Sequence, residues 1–264
     1  MQNQINRFHN FKFPKIKTDF ILSVGSHCRV AHHLRKNHLR NLASPLDWMI
    51  NDKLEVVFEL FKSDFKDFFL SCFIVDEKRK PMEVKDKLNG MISVHHFFSN
   101  EELEIQAQRI NRQTRKRWIP IKDKILSSKN VVFVRSGDFD LKEASEFLQK
   151  TAKLFDKNVG GGGGGYTHNN VSHNEKLKED EMIMEKFDLG NHLTLIHYSI
   201  CEKEGDYRGN IPFWTTMMQK SIMMPRGLKF KNALGDFKIR FIRSCKRRKA
   251  FFTKKIKVDI NESH

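Results

Sequence analysis

One cysteine stands where thiol chemistry is easiest to arrange. Cys28 follows Asp19–Gly25, an apolar run that reads as a short buried strand closed by a glycine. It opens a helical pattern in which Val30, Ala31 and Leu34 share a face. Unpaired N–H groups in a helix's first turn favour an anion, so a lowered thiol pKa is expected at Cys28, and the same groups could receive an oxyanion. Ser26 suits the cap of that helix, and Gly25 and Ser26 are counted with the substrate-contacting residues. The competing reading of Cys28 is a small apolar residue at a tight junction. Arg40 and Arg135 carry forked donors suited to an anionic substrate group or to a nearby carboxylate. His27, His32 and His33 near Cys28 and the pair His95-His96 raise the question of zinc. No HExxH or paired CxxC occurs, and neighbours on a strand point to opposite faces, so neither a metal nor a cofactor is expected.

The elements that must position these groups follow from periodicity. Lys53–Phe61 reads as a helix with Leu54, Val57, Phe58 and Phe61 on one face, and Met91–Phe98 as a strand. Glu101–Trp118 reads as an Arg-rich helix broken near Gln113, with Ile121–Leu126 a separate short piece. Val131–Val134 is the clearest strand, followed by a helix over Leu141–Phe155 and a strand over Leu193–Ile200. Strands alternating with helices predict an α/β fold, with a mainly parallel sheet, helices on both faces and a basic helical tail; a papain-like α+β fold is the alternative. The strand ends at Gly25, Ser136 and Tyr198 would then gather at one sheet edge, where such folds place their sites.

The 264 residues divide into a flexible lead-in (1–18), one α/β domain (19–225) and a basic amphipathic tail (226–264). Six glycines, Gly160–Gly165, mark a flexible loop over 158–175; a guanine-rich tract prone to slippage is a second reading of that run. The net charge of +16 is concentrated in the tail: Arg226–Lys257 holds thirteen Lys/Arg against Asp236 alone. Basic residues interleaved with Phe and Ile suit an anionic membrane face, and no motif points to nucleic acid. The four cysteines form no close pair, and the first twenty residues lack an apolar run of secretory length. A cytoplasmic protein, peripheral to the inner membrane through its tail, is expected.

The segment Ser23-Val24-Gly25-x-x-Cys28-x-Val30-Ala31-x-x-Leu34-Arg35, then Leu39-Arg40, then Ser44-Pro45-x-Asp47-Trp48, resembles the opening signature of a bacterial family of unknown function described as papain-like cysteine peptidases. Ser93-Val94-His95-His96-Phe97 and the helix through Arg109 and Arg112 leading to Val131–Arg135 resemble two further blocks, so the likeness covers roughly residues 19–140. Two positions depart from the family: His96 stands where it has Asp, and Leu46 replaces an aromatic or β-branched residue. The resemblance implies Cys28 as nucleophile, His95 as general base and Asp47 as the carboxylate orienting it, with Trp48 and His96 beside the substrate. A papain-like order, Cys early and His late, makes His197 the rival base.

The resulting expectation is a cysteine-dependent hydrolase or acyl transferase acting on a peptide or acyl substrate. A transferase acting on surface carbohydrate from a nucleotide-sugar or phosphosugar is one alternative, and a non-catalytic binding module is another.

Overall fold

A computed structural model describes residues 4–51, 53–155, 165–202, 208–235 and 237. Residues up to Met224 form one compact unit, and Pro225 begins a second.

The strands of the first unit are β1 (Asn6–Arg7), β2 (Ile16–Lys17), β3 (Phe20–Ser23), β4 (Met49–Ile50), β5 (Cys72–Asp76), β6 (Met82–Asp86), β7 (Ile92–Phe97), β8 (Val131–Ser136), β9 (Tyr166–His173), β10 (Glu181–Asp188), β11 (Leu193–Ile200) and β12 (Ile222–Met223). The helices are α1 (Cys28–Lys36), α2 (Leu54–Lys62), α3 (Leu103–Ser127), α4 (Leu141–Leu154) and α5 (Ile211–Ser221).

The fold is α/β, but the mainly parallel sheet is corrected to mixed sheets. The largest has the order β1-β10-β11-β9-β8-β3. β11, β9, β8 and β3 pair in parallel, whereas β10 pairs antiparallel with both β11 and β1. A tight turn after Asp188, with Leu193 N–H bonded to the Gly190 carbonyl, folds β10 back on β11. A separate sheet, β4-β7-β6-β5, is antiparallel throughout.

Alternate residues of the large sheet face different helices. Phe20, Leu22, Val131, Phe133 and Leu195 join Val57 and Phe61 of α2, Trp118 and Ile121 of α3 and Phe147 of α4 in one core. On the other face, Tyr198 of β11 meets Phe213 of α5 edge to face, and α1 lies against β8 and α5.

Three expectations about elements change. The break near Gln113 is absent: α3 runs 25 residues with Pro120 inside it. Its seam of Ile110, Thr114, Trp118, Ile121 and Ile125 is buried throughout, which outweighs the one N–H that proline lacks. The lead-in is partly built into the fold, since β1 pairs with β10, β2 with β12, and Phe8 and Phe13 pack on Phe213. From Tyr166 onward the expected loop is β9, an interior strand; the run before it, 156–164, lies outside the described residues. Of the tail, 226–235 is helical, and most of the remainder lies outside them too.

Candidate active site

The turn that presents Cys28 is held by three strands. Ser26 N–H donates to the Ser136 carbonyl at 3.0 Å, Ser136 N–H to the Gly25 carbonyl at 3.0 Å, and Asn51 N–H, just past β4, to the Ser26 carbonyl at 3.3 Å. Gly25 has φ +97°, and a Cβ there would run into the Asn51 amide, so only glycine fits. Ser26 does not cap α1. Its Oγ donates to the Ser136 carbonyl at 2.5 Å, and the cap position belongs to His27, whose side chain makes no capping bond.

Cys28 is therefore the first residue of α1, half-buried, beyond the C-terminal ends of the parallel strands. Its pKa is raised, against expectation. Burial outweighs the thiol's contact with its own backbone N–H and the attraction of Arg29. Arg29 itself reaches Glu202 Oε1 at 3.1 Å, so much of its charge is neutralised before it can act on sulfur.

His95 and Asp47 come from the antiparallel sheet and the turn before it. The β4–β7 ladder pairs Met49 with Ser93, and the His95 ring meets the edge of Trp48 at 5.3 Å between centroids. His95 is exposed, and neither ring nitrogen has a hydrogen-bond partner among the described residues. Its pKa is lowered, by partial burial and then by Arg79. His96 Nδ1 lies 2.9 Å from Ser93 Oγ, and burial lowers its pKa to about 4.

Asp47 is buried and meets Arg40 rather than a histidine. Arg40 Nη2 is 2.7 Å from Asp47 Oδ2, an ion-pair contact without hydrogen-bond alignment. Burial raises the carboxyl to about 6 in spite of Arg40. Arg135 is likewise occupied inside the protein: its guanidinium donates to Asn51 Oδ1 at 2.7 Å and to the Asn51 carbonyl at 3.1 Å. Neither arginine is placed as an open anion receptor. Asn51 and Glu202, which organise this region, carry no motif signal that would have singled them out.

His197 sits in a closed network elsewhere on the sheet. Ser23, Val134, Asn169 and Ile196 stand in one row. His197 thus begins three strand spacings of about 4.8 Å, roughly 14 Å, from the strand leading to Cys28. Its ring stacks on Phe139 at 4.0 Å. Asn170 Nδ2, fixed by donation to the Gly137 carbonyl, also faces His197 Nδ1 at 3.4 Å. Nδ1 is then the acceptor, and the proton of the neutral ring lies on Nε2, which meets Ser199 Oγ at 3.0 Å and Ser172 Oγ at 3.3 Å. Burial lowers its pKa to about 4. Among the described residues, no hydrogen bond joins Cys28 to His95 or to His197.

A family model described as "Putative papain-like cysteine peptidase" matches residues 19–160, more than half of the chain. The chain belongs to that family. No curated protein and no solved structure matches it. The family region contains Cys28, Asp47, Trp48, His95, His96 and Arg135, whereas His197 lies beyond it.

Three other observations bear on the site. His33 turns from Cys28 toward α5, its ring stacked on Trp214 and its Nε2 at 2.8 Å from the Arg208 carbonyl. Among the described residues, no group of three or more His, Cys, Asp or Glu could hold a metal. A cavity of about 360 Å³ is lined by His9, Cys201, Glu202, Arg208 and Asn210; neither Cys28 nor His95 is among its lining residues.

Proposed function

We propose that this protein is a cysteine-dependent hydrolase or acyl transferase in which Cys28 is the nucleophile and His95 its base. The observation that carries the reading is the backbone bond from Asn51 to Ser26. It joins the turn presenting Cys28 to β4, whose partner β7 bears a solvent-facing His95 with no hydrogen-bond partner among the described residues.

The two pKa directions fit a base-assisted attack. A raised thiol pKa keeps the proton on sulfur at rest, and a lowered imidazole pKa keeps His95 neutral and able to accept it. As His95 removes the proton, Sγ bonds to the substrate's carbonyl carbon and the carbonyl electron pair moves onto oxygen. That pair returns, the bond to the leaving alcohol or amine breaks, and His95 hands over its proton. Water, or a second nucleophile, then attacks the thioester, regenerates the thiol and releases the acyl product. Backbone N–H groups in the first turn of α1 are the natural oxyanion donors.

His197 is less suited, since both its ring nitrogens already face partners, Asn170 on one side and two serines on the other, and its ring is stacked on Phe139. A phosphosugar transferase would need open arginines, and Arg40 and Arg135 are engaged with Asp47 and Asn51.

The test is acylation of the full-length protein by an activated p-nitrophenyl ester, followed by peptide mapping. The adduct should sit on Cys28 and vanish in Cys28→Ala. His95→Ala should slow acylation by roughly 10²–10⁴-fold, while His197→Ala leaves it near wild type. An adduct spread evenly over Cys72, Cys201 and Cys245, or a rate indifferent to His95, overturns the proposal.

A further inference from the structure

The second unit offers a surface of a different kind. Residues 226–235 are helical, and Phe230, Leu234 and Phe237 are 67%, 53% and 68% exposed. Their spacing, i, i+4 and i+7, is that of one helical face. At about 100° per residue the three fall within a sector of roughly 60°, with Lys229 on one flank and Lys231 on the other. Large apolar side chains held in water on one stripe are costly, so such a stripe marks a contact surface.

Charge identifies the partner. Thirteen Lys/Arg and one acidic residue lie between Arg226 and Lys257. An acidic protein groove would balance the charge, but the aromatic and aliphatic residues recur along the same stretch, at Phe241, Ile242, Phe251, Phe252 and Ile256. A continuous surface, apolar below and anionic above, takes all of them at once. Lysines flanking a narrow apolar stripe can extend toward headgroups while their stems lie along the hydrocarbon boundary. We infer that the segment beginning at Arg226 docks on an anionic lipid bilayer, with Phe230, Leu234 and Phe237 entering the interface and the basic residues holding the headgroups. Among the described residues no helix is long and apolar enough to cross a membrane, which agrees with a surface mode.

Flotation of the full-length protein with vesicles tests this. Vesicles of phosphatidylcholine with an equal part of phosphatidylglycerol should carry the protein, and pure phosphatidylcholine should not. Replacing Phe230, Leu234 and Phe237 together by Ser should lower partitioning by about tenfold or more. These side chains are exposed, so the fold tolerates the change, and Cys28→Ala should bind like wild type. Failure to float with anionic vesicles overturns the inference. So does undiminished binding of the triple variant, or a preference for duplex DNA over vesicles.

Discussion

Removing Arg40 tests what the buried acid of the Ser-Pro-Leu-Asp-Trp segment does. Asp47 is 1% exposed and titrates at about 6. That is roughly two units above free Asp, so the fold disfavours the charged form by about 3 kcal/mol even with Arg40 present. A carboxyl whose folded pKa is raised holds its proton more tightly folded than unfolded. Its stabilising contribution is complete below about pH 4 and is lost as pH rises through about 6. Arg40→Met keeps the aliphatic stem and removes the nearest cation, so the carboxyl pKa rises further. At about pH 7 the variant should lose about 1–1.5 kcal/mol, the most that ionisation of a carboxyl near 6 contributes there, because the acid then stays protonated in the fold. The loss should shrink toward about pH 5, as Asp47 takes up a proton. Adding Asp47→Asn to Arg40→Met should recover most of the loss at neutral pH, since no acid then has to stay protonated in the fold. Urea unfolding midpoints at both pH values measure all three quantities. A loss equal at the two pH values, or a double variant no more stable than Arg40→Met, refutes the ion-pair reasoning. It would also return Asp47 to the role of orienting a histidine.

His168→Leu should stabilise the protein by about 1–3 kcal/mol, because both nitrogens of this buried ring lack partners among the described residues; a lowered thermal midpoint would speak against it. Gly25→Ala should cost at least about 2 kcal/mol, through the positive φ and the collision with Asn51, and should disturb the turn before Cys28. A near-normal melting temperature together with normal Cys28 acylation would count against that turn as the site's support.

Much of the framework was legible because periodicity reports burial. The apolar run before Gly25, the row Val131–Val134 and the helical face of Leu54, Val57 and Phe61 each appear where their spacing put them. So does the placement of Cys28 at a helix start. The interior strand β9 escaped notice because Thr167–Asn170 are polar, and a strand that buries His168 and Asn169 leaves no hydropathy signal. The antiparallel sheet escaped in part because β5 is mostly exposed, although Met82, Val84 and Asp86 of β6 do alternate inward.

The sequence by itself determined the local chemistry: a thiol at a helix start, two rival imidazoles, an acid before a tryptophan and a charged tail. Only the tertiary structure decided which of these groups are already committed. Asp47 spends its charge on Arg40, Arg135 its donors on Asn51, and His197 its ring nitrogens on Asn170 and two serines. The thiol's pKa also turned on tertiary context, since burial beat the helix start. The reason is physical: a side chain's type sets which bonds it can make, but desolvation and partners arrive from strands distant in the chain.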